Sequence, residues 1–242
     1  MIDTVAAGAL WTELERSDDA LIHVVTDPPY SAKTHSGHNA AKSADSSVRR
    51  GLGYAALTPG QVFRVGSRLV QMATGWIVVF SDHVLIPYWE RALAQSGRYV
   101  FAGLPVVIPG MTVRLTGDGP SREAVYVTCS RPKSLSAWRT LPGYYSCPRD
   151  SQRGAQTPVI GAKPLGLMRA LVRDYSRPGD LVLDPFAGGG TTILGAVMEG
   201  RRGLGFEIDA ATYSTAVQRL SGGHQVGFPE FDRQQPPGDT QR

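Results

Sequence analysis

The sequence predicts an α/β fold, a mostly parallel sheet covered by helices on both faces. Three observations predict it. Short apolar runs at 22–26, 76–80, 180–183 and 203–206 read as buried strands. Segments with helical spacing alternate with them, at 59–73, 83–96, 164–177, 191–200 and 210–220. Two strands end in unusual turns, Asp27-Pro28-Pro29-Tyr30 and the three glycines 188–190. In sheets of this kind ligands sit beyond the carboxyl ends of the strands. A Rossmann-like, doubly wound arrangement therefore places both turns in one crevice.

The first strand, Ile-His-Val-Val-Thr, must stop at Pro28 and Pro29, which cannot continue a sheet ladder. Residues 31–53 are rich in Ser, Ala, Gly, His and Lys without apolar period and read as a long mobile loop. Val62, Val65, Leu69 and Met72 mark one helix face. Residues 99–104 and 124–129 read as two more strands. The stretch 131–162, dense in Pro, Gly, Ser and Arg, reads as an irregular basic insertion containing Trp138, Tyr144 and Tyr145. Leu165, Leu167, Met168, Leu171 and Val172 give the next helix, ended by Pro178-Gly179. Residues 1–220 are expected to form one domain: a first half at 20–109, a small inserted region at about 110–162, and a second half at 163–220. The tail 221–242 is expected to be disordered.

Composition narrows the function classes. Apolar residues make up 42% of the 242 residues, enough for a sizeable core, and no apolar run is long enough to span a membrane. The N-terminus has no secretory signal pattern. Two cysteines, Cys129 and Cys147, fit a reducing cytoplasm and cannot supply a zinc site alone. His35 and His38 lack a third ligand at metal spacing, so no metal is expected. The formal charge of +4 is unevenly spread. Lys33, Lys42, Arg49 and Arg50 face only Asp45 within 31–53, and 110–163 holds eight basic residues against three acids. Such clustering is the footprint of phosphate contacts, and equally that of solvated loops.

The segment 181–192 is strand, glycine turn, helix. Glycines let the backbone turn sharply and a ligand come close, and the helix start presents free N–H groups. The loop lacks the lysine of a nucleoside-triphosphate loop. Glu207 ends the next strand 23 positions after Asp184, near the ~20-residue offset at which an acid reaches a ribose diol.

The tetrapeptide 27–30 carries a second chemistry. An exocyclic amino group on a base is a poor nucleophile because its lone pair is delocalised into the ring. Acceptors for both N–H bonds favour a more tetrahedral nitrogen. Asp27 and the carbonyl of Pro28 supply such acceptors, and the fixed φ of Pro28 and Pro29 holds them in place. Tyr30 offers a flat face for an extruded base, worth roughly 1–3 kcal/mol.

Together, TDPPY at 26–30, KPLGLMRAL at 163–171, LDPFAGGGTT at 183–192 and GFEID at 205–209 resemble the beta-class DNA amino-methyltransferases, in which the catalytic motif precedes the cofactor motif. The resemblance covers roughly residues 20–220 and implies methyl transfer from S-adenosylmethionine to DNA. It implies that Asp27, Pro28, Pro29 and Tyr30 hold the target amino group. Phe186, Gly188 and Gly190 would line the cofactor site, with Asp184, Pro185 and Ala187 in the same turn. Glu207 would bind the ribose, Ile208 and Asp209 would lie near the adenine, and Lys163, Thr191 and Thr192 near the methionine end. The segment 110–162 would recognise the target, and a homodimer is implied. A departure is Val159-Ile160-Gly161-Ala162 before Lys163, where many relatives carry His-Pro. Asp at the first motif position points to adenine N6, with cytosine N4 as the alternative. RNA or a protein glutamine as substrate is disfavoured by motif order and the basic insertion. Cytosine C5 chemistry needs an attacking thiolate, usually from Pro-Cys, and this chain has Cys147-Pro148 instead.

Overall fold

The computed structural model describes residues 8–11, 19–35, 54–112, 122–147, 159 and 161–221. In chain order the strands are β1 (Gly8–Trp11), β2 (Ile22–Thr26), β3 (Ile77–Ser81), β4 (Tyr99–Val100), β5 (Leu104–Thr112), β6 (Arg122–Arg131), β7 (Tyr145–Ser146), β8 (Leu181–Asp184) and β9 (Arg202–Glu207). The helices are α1 (Pro59–Met72), α2 (Ile86–Ala94), α3 (Leu165–Tyr175), α4 (Thr191–Met198) and α5 (Ala210–Ser221).

One sheet carries the order β1-β9-β8-β2-β3-β6-β5-β7, with β4 on β6. The four strands β9-β8-β2-β3 run parallel, and β1 and β6 close this group antiparallel on its two sides. The Rossmann-like α/β expectation holds. Parallel strands are covered on both faces and so read as continuous apolar runs, as in the fully buried Ile-Val-Val-Phe-Ser of β3. Alternation then sorts side chains by face. Val25, Val78 and Phe80 pack with Leu167, Leu171 and Val172 of α3. Val24, Ile77 and Val79 pack with Val62, Val65 and Leu69 of α1 and with Leu93 of α2. Truncating a side chain such as Leu69 to alanine costs about 2–5 kcal/mol.

Local chemistry fixes the helix ends. Thr58 and Gln61 form a reciprocal capping box ahead of Pro59, which sits where its missing N–H costs nothing. Gly66 lets α1 lie against α2, since a Cβ there would come 2.9 Å from that of Ala92.

Three expectations need correction. Residues 99–104 are not one strand: β4 stops at Val100, and β5 begins at Leu104 and runs to Thr112. Pro105 and Pro109 disguise β5 in the sequence. Proline is tolerated there because the strand lies near the sheet's edge and its pairing with β6 is irregular between Val107 and Thr112. The segment 110–162 is not wholly an insertion, because β6 within it pairs with β3 and β5 in the heart of the sheet. Nor is 132–147 a separate subdomain. Leu135, Trp138 and Leu141 pack on the main core, Trp138 Nε1 donates to the Asp174 carbonyl at 2.8 Å, and Tyr145 is buried with its hydroxyl donating to Asp174 Oδ2 at 3.0 Å. Tyr144 faces outward, half exposed. The edge strand β1 had no counterpart in the sequence reading. Residues 36–53, 148–158 and the tail from 222, to which loop, recognition and disorder were assigned, lie outside the described residues. Among the described residues no helix is long and apolar enough to cross a membrane.

Candidate active site

β2 and β8 are parallel neighbours, with Ile22 opposite Leu181, His23 opposite Val182 and Val24 opposite Leu183. From β8 the chain crosses through α4 to β9 on one side, and from β2 through α1 to β3 on the other. The connections diverge between these two strands, which is where doubly wound sheets bind ligands. The two turns singled out in the sequence leave the sheet at this divergence and along the same edge.

They are tied directly. Thr26 Oγ1 donates to Asp184 Oδ1 at 2.6 Å, Phe186 N donates to the same oxygen at 3.0 Å, and Thr192 Oγ1 donates to Oδ2 at 2.5 Å. Asp184 is only 2% exposed. Burial pushes its carboxyl up to about 6, against hydrogen bonds from Thr192, Thr26 and Phe186 that favour the anion. Asp184 and Thr192 thus face inward as a tether between the two turns.

In the first turn, Tyr30 Oη donates to Asp27 Oδ1 at 2.9 Å, and the Lys163 ammonium donates to Asp27 Oδ2. That ammonium lies 5.2 Å from the Tyr30 ring centre and 5.0 Å from that of Phe80. Pro28 is buried; Asp27, Pro29 and Tyr30 are partly open. Burial and then the Asp27 charge push the Tyr30 phenol well above its ordinary range, so it stays protonated and donates. Lys163, expected near the methionine end of the donor, makes its contact with Asp27 of the first turn.

In the second turn, Gly188 and Gly190 have φ of 51° and 74°, a left-handed conformation that side chains disfavour. Gly189 has no such φ, but a Cβ there would stand 2.9 Å from Val159. Glu207 Oε2 accepts from Gly188 N and Oε1 from Asp209 N, both at 2.9 Å. The carboxylate is thereby oriented across the mouth of the glycine turn with lone pairs to spare. Ile208 beside it is 70% exposed, an apolar side chain standing where a flat ring can cover it. Asp209 caps α5, accepting from Thr212 N at 2.8 Å, and Thr191 accepts from Arg219. Pro185 and Phe186 are half-buried, and Ala187 is buried against β9, its N–H donating to the Phe206 carbonyl at 2.9 Å. Tyr30 leans on the α3-side core and Phe186 on the α1-side core, so their rings flank the strand ends.

Sequence reading missed three site residues. Tyr54 sets its ring edge-on to His35, with the ring centres 5.4 Å apart. Burial, then the charges of Asp27 and Glu207, raise its phenol, so it senses both turns at once. Ser31 and Asp82 hold each other beside Tyr30. No local signal marks these residues, because each partner is remote in sequence. Both cysteines are buried, and burial pushes the Cys129 thiol up to about 12, the opposite of an activated nucleophile.

A family model described as DNA methylase, of the N6/N4 type, matches residues 130–218. The chain is 37% identical over 207 residues to the putative methylase YubD of Escherichia coli K12, covering 84% of this chain and 83% of that protein. It is 39% identical over 154 residues to the type II methyltransferase M.Cfr9I of Citrobacter freundii, 58% of this chain and 51% of the relative. A 61-residue match to M.HindIII of Haemophilus influenzae, at 43% identity, covers 25% of this chain and about a fifth of that enzyme, 20%. Among solved structures the fold is similar to the M1.HpyAVI–SAM complex, with a TM-score of 0.63, 20% identity, and 84% and 89% of the two chains covered. It is also similar to the cytosine-N4-specific PvuII DNA methyltransferase, with a TM-score of 0.59, 17% identity, and 88% and 83% covered.

Proposed function

The chain belongs to the N6/N4 DNA methylases, and from that premise we propose that it transfers a methyl group from S-adenosylmethionine to the N6 amino group of adenine in DNA. The observation that carries this reading is the adjacency of β2 and β8, which brings the Asp27–Tyr30 turn and the glycine turn side by side at one end of the sheet.

The residues of the second turn fit the donor. Glu207 offers oriented acceptors for a ribose diol, exposed Ile208 and half-buried Phe186 offer apolar faces for the adenine, and the glycines keep Cβ atoms out of the way. When bound, the donor supplies an electrophilic methyl group on a sulphonium centre. The chain does the rest. Tyr30 supports the extruded base by stacking. Asp27 and the Pro28 carbonyl accept the two N–H bonds of the target amine and draw its lone pair out of conjugation. Tyr30 Oη and Lys163 fix the two Asp27 oxygens, and Asp27, as an acceptor for an N–H of the amine, takes the proton the product must lose.

Asp27 at the head of the tetrapeptide supports adenine N6. Cytosine N4 requires the same two acceptors, and both base types occur among the proteins this chain resembles: a DNA adenine methyltransferase, YhdJ of Escherichia coli K12, and the cytosine-N4-specific PvuII enzyme. The test is incubation with methyl-labelled S-adenosylmethionine and unmethylated DNA, with RNA and protein as competitors, followed by mass spectrometry of the nucleosides. N6-methyladenine is expected. N4-methylcytosine would move the assignment to the other base, and label absent from DNA would sink the reading.

A further inference from the structure

β2 lies between β8 and β3, and each neighbour sends a buried carboxylate across to it. Asp184, the last residue of β8, holds Thr26 just before the Asp27–Tyr30 turn. Asp82, which follows β3, holds Ser31 just after it. Side chains hold Asp27 and Tyr30, but Pro28 and Pro29 carry no N–H to tie the main chain; among the described residues, Leu57 N donates to the Tyr30 carbonyl at 3.0 Å. Asp82 Oδ2 accepts from Ser31 N at 3.1 Å, Ser31 Oγ at 2.5 Å and Thr34 Oγ1 at 2.5 Å. Its Oδ1 accepts from the N–H groups of Val84 and Leu85 at 3.2 and 3.1 Å, where the chain turns towards α2. The carboxylate is 6% exposed. Burial favours its neutral acid, but the hydrogen bonds from Ser31, Thr34 and the main chain outweigh burial and hold it below the usual carboxylate range.

We propose that Asp82 is a positioning residue for methyl transfer: by gripping Ser31 and Thr34 through Oδ2 it sets where Asp27 and Tyr30 stand at the end of β2. The inference rests on the methyl-transfer reading above. A purely structural role at the entry to α2 uses Oδ1 alone. Asp82→Asn separates the two. The amide keeps the shape and one acceptor oxygen for Val84 and Leu85. On the other side its NH₂ can be accepted by the two hydroxyls once they rotate, but the Ser31 N–H is left without an acceptor.

The experiment compares wild type, Asp82→Asn, Ser31→Ala and the double variant. It measures single-turnover methyl transfer to duplex DNA, S-adenosylmethionine affinity by calorimetry, and amide exchange at Ser31. A misplacement of about 1 Å in a reacting group costs on the order of 100-fold. Asp82→Asn is therefore expected to slow transfer about 100-fold, leave donor affinity unchanged and speed exchange at Ser31. Ser31→Ala is expected to slow transfer less. The double variant should be no slower than Asp82→Asn alone, as coupled partners require. Wild-type transfer by Asp82→Asn, or losses that multiply independently, would overturn the role. If Asp82→Asn does not fold, Ser31→Ala decides by the same split: slowed transfer at unchanged donor affinity supports the grip, and an undiminished rate refutes it. If the wild-type protein moves no methyl group to DNA, the functional reading fails and the positioning role with it, while Ser31 exchange still tells whether Asp82 holds the turn.

Discussion

Lys163 holds the carboxylate of Asp27. The ion pair joins residues 136 positions apart and closes the second half of the chain onto the first. The Lys163 side chain is 11% exposed and that of Asp27 24%, so the contact is more sheltered than a surface ion pair. Asp27 is therefore presented to the cleft with both oxygens already oriented, one by Lys163 and one by Tyr30.

Asp27→Ala removes the acceptor while leaving the glycine turn and Glu207 in place. Methyl transfer is expected to fall at least 10²–10³-fold, the typical loss for one preorganised polar group at a reacting centre. S-adenosylmethionine affinity should stay within a few-fold. Single-turnover kinetics and calorimetry on the same preparation check both halves, and transfer at the wild-type rate would remove Asp27 from the chemistry.

Glu207→Ala should do the opposite. Its oxygens are oriented by Gly188 and Asp209 and face the place assigned to the ribose. Hydrogen bonds to a charged group contribute about 1.5–3 kcal/mol, so donor affinity should weaken roughly tenfold to a hundredfold. Transfer at saturating donor should largely survive. An unchanged dissociation constant would place the ribose elsewhere.

Asp184 gives a pH signature. Its folded carboxyl titrates at about 6, above the ordinary 3.8 of the unfolded chain. A raised carboxyl means that its stabilising contribution is fully present below about 3.8 and is lost as pH rises through about 6. At neutral pH the buried charge costs roughly 3 kcal/mol against the neutral acid. Asp184→Asn cannot titrate. Between pH 7.5 and pH 5 the wild type should therefore gain on the order of 1 kcal/mol over Asp184→Asn in urea unfolding. Thr192→Val, which removes a donor to the anion, should move the carboxyl resonance midpoint higher still. A difference independent of pH would mean that the carboxyl titrates in its ordinary range.

What the sequence disclosed, and what it hid, follows from the range of the interactions. β2 and β8 were readable because an apolar run ending in Pro-Pro or in glycines is a local signal. Glu207 was readable because its offset from Asp184 is set by one strand–helix–strand unit. β5 was hidden by Pro105 and Pro109, whose cost is waived only by its place near the sheet edge. Trp138 and Tyr145 were hidden because local composition says loop, while their packing partners lie on α3. Asp82 and Ser31 meet across 51 positions and Lys163 and Asp27 across 136, and no periodicity reports such pairs.

The same holds for His23, a polar residue in the middle of β2 that is completely buried. Its Nδ1 accepts the Trp76 N–H at 2.9 Å, so the proton sits on Nε2, which donates to Asp180 Oδ2 at 2.9 Å. No Cβ fits at Gly75, where it would fall 2.5 Å from the imidazole. Adding a second proton would break the Trp76 bond and bury a cation facing Arg201 and Arg177. Burial, the largest influence, pulls the imidazole below its ordinary 6.5, and the Asp180 carboxylate opposes it only in part. Below 6.5 the unfolded chain therefore binds more protons than the folded one, and stability falls with acidification from that point downwards. Asp180, itself held below the carboxylate range, loses its contribution only at lower pH. Wild type is expected to lose stability relative to His23→Gln between pH 7.5 and pH 5.5, read by urea unfolding. His23→Ala should cost about 2–4 kcal/mol at neutral pH through a cavity and an unpaired carboxylate. A His23→Gln difference that does not change with pH would mean that the imidazole is not held neutral by its surroundings.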